Sequence, residues 1–101
     1  MTETLDIPTL LARAMDAYDT LTSLGEDVED EWTYVNDLST AWRDRIEAVS
    51  SARAEEAASA TAVAAVERLM DEVARIKDPH RAIDWLSTFP QVLLLAVGEQ
   101  P

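Results

Sequence analysis

Apolar side chains in the first segment recur three and four residues apart, which is the spacing of an amphipathic helix. These positions are Ile7, Leu10, Leu11, Ala14, Tyr18, Leu21 and Leu24. Asp6 can cap the N-terminus of such a helix, and Pro8 would lie in its first turn, where no helical hydrogen bond is lost. Gly25 follows the last apolar position, and glycine readily adopts the positive φ that ends many helices. The pattern therefore predicts a helix over residues 7–24 that Gly25 ends.

The next stretch, residues 26–77, contains no Gly and no Pro, and nearly every position suits a helix. It carries two apolar stripes, formed by Trp32, Val35, Leu38, Trp42, Ile46 and Val49 and by Val63, Val66, Leu69, Met70, Val73 and Ile76. In a straight helix the stripes would lie on nearly opposite sides, whereas supercoiling reduces their separation to about 50°. We predict one very long central helix, supercoiled or packed against a different element along each half. It would be about 75–80 Å long.

The middle of this stretch, residues 50–62, has no large apolar side chain. It suits a solvent-exposed middle section of the helix or a close crossing of helices at Ala residues. It also suits a turn near Ser59 to Thr61, because Ser and Thr favour helix caps. Helices of about 50 residues are rare in small domains, which favours a break. Local propensity favours continuity, which is our prediction. The alternative is a break near 58–61 that gives a four-helix bundle.

Two prolines divide the last segment. Asp78-Pro79 is a strong helix boundary, because a residue before proline is pushed out of the helical conformation and Asp can cap the helix that follows. Pro90 predicts a second division, which gives helices 79–88 and 89–97. The run 92–97 is apolar on all sides, so we expect it to be buried against the bundle or against a partner.

The composition supports a single all-α domain over residues 1–101. Hydrophobic residues make up 48% of the chain, and there are only 2 Gly and 4 Pro. A long central helix with helical hairpins at its ends would leave apolar surface uncovered. Association would bury that surface, so we predict a homodimer with coiled-coil character.

The charge balance limits the choice of partners. Twenty acidic residues against 8 basic residues give a formal charge of −12. This charge repels the phosphates of nucleic acids and predicts no direct DNA or RNA binding. It favours a basic protein partner, such as a DNA-binding protein for which the chain mimics DNA. Acidity that serves only solubility is the simpler interpretation.

The chain also lacks the usual signals for export or membrane insertion. The first residues are acidic rather than basic, and the longest run of large apolar residues is far shorter than the ~20 that span a bilayer. We therefore expect a cytoplasmic protein without membrane contact. The absence of Cys excludes disulfides, thiolate nucleophiles and Cys-ligated metals.

An acidic run at residues 26–31 is the main candidate for metal chemistry. All-helical nucleotide pyrophosphohydrolases bind magnesium through Glu-x-x-Glu and Glu-x-x-Asp motifs on two facing helices, and Glu26-Asp-Val-Glu29 resembles the first motif. The later carboxylates have a different spacing. The weak candidate ligands are Glu26, Glu29, Asp30, Glu67, Asp71 and Glu72. Carboxylates at the start of a helix also simply complement its dipole, so we predict no metal and no cofactor.

Other catalytic chemistry has few residues to use. His80 is the only His, and the chain has no nucleophile elbow for a Ser-His-Asp triad. Trp32, Trp42 and Trp85 are candidate partner-binding residues, although packing in a bundle core explains them equally well. We therefore predict a non-enzymatic interaction module that acts as an adaptor, assembly factor or inhibitor. The alternatives are a metal-dependent nucleotide hydrolase and a structural subunit that only oligomerises.

Overall fold

The computed structural model describes residues 5–26 and 29–98, with the backbone alone for residues 29–32. The described residues form four α-helices and no β-strand, so the predicted all-α class is confirmed. The helices are α1 (Ile7–Gly25), α2 (Glu29–Ala52), α3 (Ala60–Arg75) and α4 (Pro79–Ala96).

Helix α1 begins as its sequence predicts and ends differently. The Asp6 carboxylate accepts a hydrogen bond from the backbone N–H of Thr9 at 2.9 Å, and Pro8 lies in the first turn. Gly25 is the last helical residue, but it does not adopt the positive φ that we expected. A Cβ at this position would lie 3.3 Å from Cγ1 of the buried Val35. Glycine therefore serves a close approach of two helices here.

The prediction of one continuous central helix is wrong, because α2 ends at Ala52 and α3 begins at Ala60. The break lies at residues 53–59 and so begins several residues before the alternative position, near 58–61. The side chain of Ser59 accepts a hydrogen bond from the backbone N–H of Ala62 at 3.1 Å and so caps α3. Among the predicted interpretations of the Ala-rich middle, the turn is therefore the one that the structure contains.

The connection between α2 and α3 is held by the segment that precedes α1. The backbone N–H of Ile7 donates to the carbonyl oxygen of Glu56 at 3.0 Å, and the N–H of Ala58 donates to the carbonyl oxygen of Leu5 at 2.7 Å. These bonds satisfy backbone groups that helix formation would otherwise satisfy. A segment without large apolar side chains gains little from packing as a helix, so this alternative pairing prevails.

The arrangement of the four helices follows from the contacts that they make along their lengths. Tyr18 of α1 packs against Trp42 of α2, and Thr22 hydrogen-bonds to Ser39, so α1 and α2 run antiparallel. Helix α1 packs against the other three helices, whereas no contact joins α2 to α3 within the described ranges. Helices α1 and α4 therefore form the centre of the bundle, and α2 and α3 flank it.

This arrangement explains the two opposed apolar stripes. The stripe of α2 includes the buried Val35, Trp42, Ile46 and Val49, and that of α3 includes the buried Val66, Leu69 and Val73. Each stripe packs on the central helices from its own flank, so the two stripes need not share one side of a continuous helix. The Cα radius of gyration is 13.4 Å and the longest dimension is 41 Å. A helix of about 75–80 Å would not fit.

Helix α4 is a single helix, which corrects the predicted division into 79–88 and 89–97. Pro90 lies inside it and is buried, as are its neighbours Phe89 and Leu93. Packing of these residues outweighs the loss of one backbone donor at proline. The run 92–97 is only partly buried in the bundle, because Val92 is 51% exposed and Leu95 is 57% exposed.

Candidate interaction surfaces

Charge is distributed unequally between the two halves of the bundle. Residues 5–52, which contain α1 and α2, carry eleven acidic and three basic residues, for a formal charge of −8. Residues 60–97, which contain α3 and α4, carry five acidic and four basic residues, for a formal charge of −1. We call these halves the acidic hairpin and the balanced hairpin. Any charged partner would therefore meet two different environments on this small molecule.

The acidic hairpin presents a row of carboxylates on the outer side of α2. Asp37, Asp44 and Glu47 are exposed and lie seven and three residues apart, so they share one face of the helix. Arg43 forms an ion pair with Asp19 across the junction of α1 and α2. This ion pair directs the positive charge of Arg43 toward α1. We call Asp37, Asp44 and Glu47 the α2 acidic face.

The balanced hairpin has an apolar groove where α3 and α4 meet. Its volume is about 490 Å³. It is lined by Ala60, Thr61, Ala64, Ala65, Arg68, Phe89 and Val92. The α3 side consists of small side chains apart from one Arg, which leaves space above the larger residues of α4. We call this feature the α3–α4 groove.

Apolar surface continues along α4 on both sides of the groove. The ring of Trp85 packs against that of Phe89 with their centroids 5.0 Å apart. Beside Trp85 is a shallow depression of about 280 Å³, lined by Arg81, Asp84, Trp85 and Thr88. Leu95 lies three residues beyond Val92, and both side chains are more than half exposed. The groove is thus part of a larger apolar surface with charged groups of both signs at its edges.

A small polar cluster lies between α1 and α2. The hydroxyl groups of Thr22 and Ser39 hydrogen-bond to each other at 3.0 Å. The hydroxyl of Tyr18 and the indole nitrogen of Trp42 are buried without a hydrogen-bond partner. Burial raises the pKa of Tyr18 to about 12, so this phenol stays protonated near neutral pH. Tyr18, Ser39 and Trp42 are buried and Thr22 is half-buried, so the cluster is a structural feature of the α1–α2 contact.

The tryptophans predicted to bind a partner occupy different environments. Trp42 is only 4% exposed and belongs to the core. Trp85 is half-buried at the edge of the α3–α4 groove, where a partner can reach it. The side chain of Trp32 lies outside the described residues.

Among the side chains that the structure describes, the candidate metal ligands do not form a metal-binding group. No group of three or more His, Asp or Glu side chains that could hold a metal exists among the described residues. Of the candidates, Glu26 follows α1, whereas Glu67, Asp71 and Glu72 are on α3. The side chains of Glu29 and Asp30 lie outside the described residues.

The groove itself was not predicted from the sequence. Two sequence features indicated it indirectly, namely the Ala-rich start of α3 and the run 92–97 that is apolar on all sides. Neither feature indicates that the two segments are neighbours. Their proximity depends on the turn between α3 and α4, which places residues 60–68 beside residues 89–92.

Comparisons of the chain with protein-family models, curated proteins and solved structures found no match. None of the helices in the described part of the chain is both long and apolar enough to cross a bilayer.

Proposed function

We propose that this protein is a non-enzymatic interaction module whose acidic hairpin binds a basic protein partner. The observation that carries this proposal is the unequal distribution of charge, −8 on the acidic hairpin against −1 on the balanced hairpin. Acidity needed only for solubility has no reason to be concentrated on one half of the molecule. A concentrated field of one sign attracts a partner of the opposite sign and orients it during approach.

The α2 acidic face is the part of this hairpin best placed for contact. Its three carboxylates are exposed and share one face of α2. Ion pairs between these exposed carboxylates and basic groups of a partner would contribute modestly to affinity. Their effect on the association rate and on its salt dependence would be strong. The basic surface of a DNA-binding protein is one partner of this kind, and the chain would then act as a mimic of DNA.

Neutralising variants test which hairpin binds a basic partner. The test variant is Asp37→Asn/Asp44→Asn/Glu47→Gln, and the matched control is Glu67→Gln/Asp71→Asn/Glu72→Gln on α3. Both raise the net charge by the same amount. A fluorescently labelled deca-arginine peptide serves as the basic probe, and its anisotropy reports binding at low salt. We expect the α2 variant to bind about tenfold more weakly, since three pairs of about 0.5 kcal/mol each are lost.

The control decides whether the location of the charge matters. The proposal requires the α3 variant to bind the peptide nearly as well as the wild-type protein does. Equal weakening by both variants would mean that only net charge matters, and the proposed surface would be abandoned.

For the mimicry version, the wild-type protein should release a labelled DNA duplex from the same peptide as its concentration increases. Failure to release the duplex at low salt would rule that version out.

A further inference from the structure

We infer that the α3–α4 groove is the interface of a homodimer in which two copies of this chain meet through their balanced hairpins. The exposed apolar side chains at the groove are the first reason. Val92 is 51% exposed and lines the groove, and Leu95, three residues further along α4, is 57% exposed. Covering water-exposed aliphatic side chains next to an apolar groove lowers the free energy of the system.

Charge selects a second copy as the occupant. Two molecules of charge −12 repel each other, and the repulsion is largest when their acidic hairpins approach. The balanced hairpin is the half of the chain where this repulsion is smallest. The surface along the groove and the adjoining depression carries Arg68, Arg81 and Asp84, which are charges of both signs. A strongly basic partner is disfavoured there by the two arginines, whereas a two-fold dimer can place the Arg of one copy near a carboxylate of the other.

The shape of the groove is suited to this arrangement. Small side chains on α3 leave an opening of about 490 Å³ beside α4. A two-fold axis along this face would place the exposed Val92 and Leu95 of each copy at the groove of the other copy. Such an interface is self-complementary, because the same residues serve as the inserted groups and as the receiving surface. The acidic hairpins would then point outward on opposite sides of the dimer.

The sequence pattern also predicts a homodimer, but for a different reason, namely the apolar surface that one long central helix would leave uncovered. The structure lacks that helix, so the earlier reason no longer applies. The groove gives the prediction a defined surface and specific residues. The proposal is independent of the basic partner proposed for the other hairpin.

The test is sedimentation equilibrium of the wild-type protein and two charge-matched variants over a wide concentration range. The interface variant is Val92→Glu/Leu95→Glu. The control variant is Tyr34→Glu/Met70→Glu, which changes two other exposed apolar residues, at 56% and 42% exposure, outside the groove. Circular dichroism and thermal unfolding at low concentration establish that each variant folds.

We expect a concentration-dependent dimer for the wild-type protein and the control variant. The interface variant should have a dimer dissociation constant at least about a hundredfold higher, because two central apolar contacts become charged. Raising the salt concentration should strengthen the wild-type dimer, since screening weakens the repulsion between the acidic copies.

Three results would overturn the inference. A wild-type protein that stays monomeric up to about millimolar concentration would show that the groove does not bind a second copy and would leave it for another apolar partner. A folded interface variant that dimerises like the wild type would place the interface elsewhere. Equal weakening in the control variant would show that added charge anywhere disrupts association.

Discussion

At the scale of single residues, polar side chains decide where the helices begin. The hydroxyl of Ser59 accepts the backbone N–H of Ala62 at 3.1 Å. Without this cap, an N–H at the start of α3 would lose its partner within the chain. We expect Ser59→Ala to lower the free energy of unfolding by about 1 kcal/mol. Chemical denaturation measures this value, and Ser51→Ala, at an exposed position inside α2, is the control with little expected effect.

Tyr18 predicts a specific loss of stability at alkaline pH. Burial raises its pKa to about 12 in the folded protein, above the ordinary value of 10 for the unfolded chain. The stability that the protonated Tyr18 contributes to the folded state is fully present below pH 10. It is lost as the pH rises through about 12, because the unfolded chain releases the proton first. The loss amounts to about 2 to 3 kcal/mol when complete.

The variant Tyr18→Phe isolates this effect. It removes a buried hydroxyl that has no hydrogen-bond partner, so we expect its stability at pH 8 to stay within about 1 kcal/mol of the wild type. Between pH 8 and about pH 11.5 it should lose less stability than the wild type in denaturant unfolding. Tyr34→Phe, which changes an exposed ring, should follow the wild type. An identical alkaline decline in Tyr18→Phe would contradict the assignment.

At the scale of elements, Arg53 joins the connection after α2 to the end of α4. Its guanidinium donates hydrogen bonds to the carbonyl oxygens of Val97 and Gly98. Carbonyl groups at a helix C-terminus lack partners inside the helix and carry partial negative charge, so a cation is favourable there. One side chain thus connects two segments that are distant in sequence.

We expect Arg53→Ala to destabilise the protein by about 1.5 to 3 kcal/mol, the range for a hydrogen bond to a charged group. Arg53→Lys keeps the charge but lacks the two-pronged geometry, so it should recover only part of this loss. Hydrogen exchange should show faster opening at the end of α4 in the Ala variant. Unchanged exchange in this region would mean that the contact does not hold the helix end.

At the scale of the whole molecule, excess negative charge opposes folding. A formal charge of −12 is distributed over a molecule whose longest dimension is 41 Å, so most carboxylates lie near others. Like charges at these distances destabilise the compact state relative to the extended chain, and salt reduces their repulsion.

Salt should therefore raise the thermal stability. Raising NaCl from about 0.02 M to about 0.5 M shortens the screening length several-fold. We expect Tm to rise by about 4–8 °C, which corresponds to about 1 kcal/mol for a domain of this size. The measurement uses protein dilute enough to be monomeric. The variant Asp37→Asn/Asp44→Asn/Glu47→Gln should show a smaller rise, and a Tm that falls with salt would contradict the argument.

Several local features of the fold follow from neighbouring residues alone. Asp6, Pro8 and the apolar period fixed the start of α1, and Asp78-Pro79 fixed the start of α4. These features act through hydrogen bonds and backbone geometry within a few residues, so local sequence is sufficient to predict them. The all-α class follows for the same reason.

Contacts between distant segments set where the chain turns and which surfaces are exposed. The break at residues 53–59 depends on backbone bonds to Leu5 and Ile7, about fifty residues earlier in the chain. Pro90 remains inside a helix because its neighbours are buried against the bundle. The α3–α4 groove exists because two distant segments meet. Each of these outcomes is a competition between local propensity and packing between elements, and the sequence pattern contains only the first of the two.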